Sequence, residues 1–241
     1  MKFEKTNVMN FENAFRGMRN PKNSWHKSDS YLDDTGNFVI GEADMKLAQT
    51  LIRSGSEHRK FMRQIFISVD ITAPLYWYKE FDTYKVGTTA NSTSTMHTIQ
   101  SKPITVEDSF EIDDYNPHLE VEYDFYDYYT NNFIKATSDL HELVFNFVAV
   151  LEGLRKTYVQ TKDKRYWKEL IRWTPEAWMQ TRTITMTYEN LYSMCHQREN
   201  HKLNEWSGED NPAMENFIEW ARTLPYAKEL IFFDETKERR E

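Results

Sequence analysis

The chain contains a single cysteine, Cys195, so no intramolecular disulfide can form, and no CxxC pair or Cys/His cluster suggests zinc. Basic residues are not in excess. Thirty Lys and Arg stand against 38 Asp and Glu, a formal charge of −8, which leaves no basic stripe to replace phosphate counterions and argues against general nucleic-acid binding. A small anionic ligand remains compatible, because a few focused cations suffice for it. Long apolar runs are missing too: nothing approaches the ~20 residues of a membrane helix, and MKFEKTNVMNFENAF at the amino terminus has no apolar signal region. The expectation is a soluble, cytoplasmic protein with no membrane association. With 7 Gly and 7 Pro in 241 residues and no Gly-, Pro- or Ser-rich linker, one domain spanning 1–241 is expected.

What the chain has in quantity is aromatic side chains, 7 Trp, 14 Tyr and 15 Phe, enough apolar area for a sizeable core. Residues 73–97 set a run of them, Leu75-Tyr76-Trp77-Tyr78, before Gly87-Thr88-Thr89-Ala90-Asn91-Ser92-Thr93-Ser94-Thr95. Short hydroxyl and amide side chains bond neighbouring backbone and compete with regular structure, so a loop or helix start is expected there. Such a loop suits a nucleotide phosphate or sugar as well as it suits a turn.

Taken in order, residues 1–20 are amphipathic without deciding between strand and helix, and 20–41 are turn-rich, with Phe38 to Ile40 a strand or turn. Gly41-Glu42-Ala43-Asp44 opens a helix stopped by Gly55, and a second helix start follows at Ser56-Glu57-His58. Residues 65–71 alternate like a strand that Pro74 ends, and a short helix runs through Phe81. Residues 107–129 are acidic and tyrosine-rich, read as a solvated insertion without metal-ligand order. Helices are expected over 131–158, 162–172, 174–197 and 212–223, followed by a frayed tail, DETKERRE.

Ser56-Glu57-His58, then a strand, then Ala73-Pro74-Leu75-Tyr76-Trp77, then Asn91-Ser92-Thr93-Ser94-Thr95-Met96-His97 together resemble the flavin-dependent thymidylate synthase family. The family signature is an RHR triplet followed by S, N, E, S and RY. Anchored on Asn91, Ser94 matches the second Ser and Thr89 replaces the first; Tyr84-Lys85-Val86 occupies the triplet, Ser92 replaces Glu, and Met96-His97 replaces RY. The family's ARxxLP segment corresponds to residues 170–175 with Arg172 displaced by one. From Pro175, Arg198 falls without a gap on the family's nucleotide-phosphate Arg, while Glu189 stands where the family has Arg and Thr187 where it has Asn. The resemblance covers roughly 56–97 and 170–206, with 98–169 as an enlarged insertion.

That resemblance implies an α/β (α+β) fold, helices around a mainly antiparallel sheet, assembled as a homotetramer. It implies reductive methylation of dUMP to dTMP, with methylenetetrahydrofolate as carbon donor and NADPH supplying hydride through FAD. Ser94, Arg198, Arg172 and Ser92 are the implied nucleotide contacts; Lys85, Asn91, Thr89, His58 and His201 are the implied cofactor contacts. His58 equally suits a tie between elements, and His201 a helix cap. No protein nucleophile is required, and Cys195 reads as core. Two alternatives stand beside this: a nucleotide-binding homologue without flavin chemistry, and a structural or interaction protein that keeps the scaffold.

Overall fold

The computed structural model describes residues 1–208, 211 and 214–233. They form two compact units. One comprises residues 1–72, 77–92 and the chain from Thr181 onward; the other comprises 73–76 and 93–180.

The first unit begins with strand β1 (Lys2–Met9) and helix α1 (Phe11–Met18), so the undecided amino-terminal stretch divides between the two. A small hairpin, β2 (Tyr31–Leu32) and β3 (Phe38–Val39), turns at Asp33, whose carboxylate accepts from the Thr35 and Asn37 amides. Helix α2 (Glu42–Arg53) starts where expected. Its first amides, Ala43 and Asp44, are capped by Asp29, and a Cβ at Gly41 would fall 2.2 Å from the Asp29 carboxyl carbon, so only glycine allows this approach. The helix start at Ser56 becomes a 3₁₀ turn over Arg59–Gln64.

Strand β4 (Phe66–Pro74) keeps the alternation seen in the sequence, with Ile67, Val69 and Ile71 buried. Helix α3 (Leu75–Phe81) follows, and then β5 (Thr89–Ser92). The hydroxyl-rich loop is therefore partly an exposed strand, because its β-branched threonines suit an extended edge. The 174–197 stretch is likewise not all helix: β8 (Met179–Thr187) precedes helix α8 (Tyr188–Arg198), and the Thr183-Ile184-Thr185 cluster lies in the strand. The sheet runs β1-β4-β8-β5 and is mainly antiparallel; Thr89 opposes Thr185 and Ser92 opposes Arg182.

Short helices α9 (Asn204–Ser207), α10 (Phe217–Arg222) and α11 (Ala227–Leu230) complete this unit. The expected final helix is thus shorter at its start, with residues 212 and 213 outside the described residues, as is the tail 234–241. Trp77, Phe81, Trp206 and Phe217 pack as one aromatic cluster, the two indoles 4.7 Å apart between centroids. Each such ring removes on the order of 200 Å² from water, which makes this cluster a principal support of the unit. Cys195 is buried on α8, as core.

In the second unit, short helices α4 (Thr95–Thr98) and α5 (Val106–Ser109) precede a two-stranded hairpin, β6 (Glu120–Asp127) against β7 (Asn132–Asp139). The helix expected over 131–158, α6 (Leu140–Thr161), therefore starts only at Leu140. Phe133 and Ile134 satisfy helical spacing in the sequence but pair across the hairpin with Tyr126 and Phe125. A further helix, α7 (Lys164–Arg172), matches its expected span and is capped by Asp163. Val148, Leu151 and Leu170 form this unit's core with Ile99, Ile104, Val106 and Phe110. Among the described residues no helix is long and apolar enough to cross a membrane.

Candidate functional site

The first turn of α8 is closed by a capping box, Thr187 Oγ1 accepting from Asn190 N and the Asn190 side chain accepting from Thr187 N. Asn190 also donates through Nδ2 to the Val86 carbonyl, 2.7 Å away, tying the 84–88 loop to the helix. Gly87 makes this contact possible: its φ of 82° is left-handed, and a Cβ there would come 2.9 Å from Asn190 Oδ1.

The same loop reaches the other end of α8 through Tyr84. Arg198 Nε donates to Tyr84 Oη at 3.0 Å, and that hydroxyl donates to Gln197 Oε1 at 3.1 Å. Glu80 Oε2 lies 2.8 Å from Arg198 Nη1 and 2.9 Å from His201 Nε2. That oxygen is buried, and both the guanidinium and the imidazole face it. His201 Nδ1 accepts from Leu203 N at 3.1 Å, which places the ring proton on Nε2, facing Glu80. Leu203 is the residue that precedes α9, so the ring is tied to the chain just before that helix. The Arg198 guanidinium carbon stands 5.2 Å from the Trp206 ring centre, and Nη2 makes no hydrogen bond among the described residues. Arg198 and His201 are thereby brought together by Glu80 and Tyr84.

The other implied residues divide between the units. Thr89, Asn91 and Ser92 lie exposed on β5, Lys85 is exposed in the loop before it, and His58 is exposed just before the 3₁₀ turn. Ser94 belongs to the second unit, where its carbonyl accepts from His97 N and Thr98 N at the start of a one-turn helix. Arg172 belongs there too, and its Nη1 donates to Glu169 at 2.6 Å on its own helix.

Two cationic sites escape a reading of the sequence. Glu189, where the family has Arg, is gripped by Arg63 and Arg59, and Arg59 also lies over the Tyr192 ring at 4.3 Å. The four-residue spacing of Arg59 and Arg63 is the one local signal for this. Arg182 is paired with Asp82 at 2.8 Å and stacks 3.7 Å from the Tyr78 ring centre; burial pushes the Tyr78 phenol well above its ordinary value. Tyr78 donates instead to the Ile71 carbonyl at 2.6 Å.

No protein-family model matches the chain, and no curated protein matches it. Solved structures do. One structure of the flavin-dependent thymidylate synthase ThyX from Helicobacter pylori, complexed with FAD and dUMP, aligns at a TM-score of 0.58 and 14% identity over 97% of this chain and 99% of that one. A second ThyX structure from the same organism, again with FAD and dUMP, aligns at 0.59 and 14% identity over 97% and 98%. The chain has the fold of the flavin-dependent thymidylate synthases, carried by a divergent sequence.

Proposed function

We propose that the protein binds a deoxyuridylate-like nucleotide at the Arg198 cluster, and that it does so without the flavin-phosphate grip of the family it resembles. The observation that carries this is a guanidinium held by Tyr84 through Nε and by Glu80 through Nη1, while its Nη2 makes no hydrogen bond among the described residues. A nucleotide phosphate carries the oxygens that such a guanidinium edge binds.

The residues standing at the family's RHR triplet do not fit a flavin pyrophosphate. Tyr84 is occupied by Arg198 and Gln197, Val86 is 89% exposed and carries no charge, and Lys85 alone is a point charge rather than a fork. Glu189, held by two arginines, puts a carboxylate where the family has a cation. Nucleotide binding at Arg198 does not depend on flavin.

A second reading is favoured by the likeness to ThyX over nearly the whole of both chains: an active synthase methylating dUMP with methylenetetrahydrofolate, FAD and NADPH, as a cytoplasmic homotetramer. One experiment separates the two. Thermal unfolding is followed with dUMP, with deoxyuridine and with FAD, beside an absorbance spectrum of the freshly purified protein. Saturating dUMP is expected to stabilise by about 2–3 kcal/mol, deoxyuridine far less, and Arg198→Ala to abolish the difference. A flavin band that persists through purification supports the synthase instead, and no response to dUMP overturns both.

A further inference from the structure

A concave site lies in the first unit, away from Arg198 in sequence. It is a cavity of about 550 Å³ lined by Asn10, Asn13, Arg16, Gly17, Asn20, Trp25 and Gln64. Its wall is an ordered chain of amides. Arg16 Nη2 donates to Asn13 Oδ1, Asn13 Nδ2 donates to Asn10 Oδ1, and Asn10 Nδ2 donates to the Gln64 carbonyl, at 2.7 to 2.8 Å throughout.

Asn10 precedes α1 at φ 76°, yet its side chain makes no cap bond. An asparagine there ordinarily caps the helix for about 1 kcal/mol; here it is turned to the wall instead. Trp25, also in the lining, donates through Nε1 to Asn20 Oδ1 at 2.8 Å, which holds an indole that is 49% exposed in one orientation. Gly17 leaves room for the Gln64 amide, since a Cβ there would already stand 3.0 Å from Gln64 Oε1.

The lining selects a class of ligand. A phosphate or other dianion is disfavoured, because Nη2 of Arg16, the edge that is left without a hydrogen bond at Arg198, is spent here on Asn13. A metal ion is disfavoured, because the lining has no carboxylate, thiol or imidazole. An apolar ligand would cover the second N–H and the remaining lone pairs of these amides without pairing them. What remains is a neutral ligand with many hydroxyls, each both donor and acceptor, to match amides that are both. The indole adds a flat apolar surface for ring C–H groups. We propose that this groove binds a neutral saccharide, with the Asn10–Asn13–Arg16 chain bonding its hydroxyls and Trp25 stacking on one ring.

The test uses the full-length protein and a defined panel: glucose, galactose, N-acetylglucosamine, maltose and uridine. Binding is followed by saturation-transfer NMR and by tryptophan fluorescence. At least one sugar is expected to bind saturably, Asn13→Ala and Trp25→Ala each weakening it by about tenfold, and dUMP is expected not to displace it. Both variants sit on exposed positions, and circular dichroism checks that each is folded. Absence of saturable binding by all four sugars overturns the proposal. So does sugar binding that both folded variants leave unchanged, displacement by dUMP, or binding of uridine alone.

Discussion

Glu80 holds Arg198: its Oε2 lies 2.8 Å from Nη1, across 118 residues of chain. The carboxylate orients the guanidinium, and it also sets a negative charge beside the place proposed for a phosphate. Glu80→Gln keeps an oxygen acceptor and removes the charge. A charge about 6 Å from the phosphate costs about 0.7 kcal/mol in a watery surround, so this variant should bind dUMP about threefold more tightly and deoxyuridine unchanged. Stability should fall by about 1 kcal/mol, because a partly exposed pair is lost. Isothermal titration with both ligands decides it, and weaker dUMP binding would place the phosphate elsewhere.

Asp44 gives a prediction in pH. Its carboxylate is buried on α2 and receives Arg19 Nε at 2.5 Å, Ser28 Oγ at 2.5 Å and Ser30 Oγ at 2.6 Å. Burial alone would push its pKa up, but the hydrogen bonds from Ser28, Ser30 and Arg19 together outweigh it and hold the carboxyl below its ordinary value. A folded-state value below the unfolded one, about 3.9, means that the stabilisation is fully present above that pH and is lost as pH falls through the folded value. Asp44→Asn leaves Arg19 buried without its counter-charge and should cost about 3 kcal/mol at neutral pH. Urea denaturation from pH 7 down to 3 should show the gap between wild type and variant narrowing at the acid end. A gap that stays constant would mean that Asp44 does not titrate in this way.

Glu189 offers a charge-reversal test. It sits in the first turn of α8, where the macrodipole favours a carboxylate, and it neutralises Arg59 and Arg63. Restoring the family's residue by Glu189→Arg would bring three guanidiniums together at a positive helix end. The expected loss is about 2 kcal/mol, read as a lower Tm that added salt partly restores. Stability equal to wild type would show that Arg59 and Arg63 do not depend on Glu189.

Local pattern made several elements legible. The alternation of Ile67, Val69 and Ile71, the Gly-bounded periodicity of α2, and the aromatic run of α3 each lie within a window of about ten residues, and each folds as read. The strands Asn132–Asp139 and Met179–Thr187 were open to a helical reading, since a few apolar positions fit both periods and the ladder that decides between them comes from partners elsewhere in the chain. The hydroxyl-rich stretch was open in the same way, and Thr89–Ser92 is a strand because β8 pairs with it.

From the residues alone came a single cysteine that cannot form an intramolecular disulfide, no basic stripe, no apolar run of membrane-helix length, and by family resemblance a thymidylate synthase fold with Arg198 as a candidate anion ligand. Tertiary structure decided what surrounds that arginine. Glu80 and Tyr84 reach it from a separate helix and loop, and Glu189 finds its cations 126 and 130 residues away. Charge pairing acts over a few ångströms of space, whereas sequence pattern reports only neighbours along the chain.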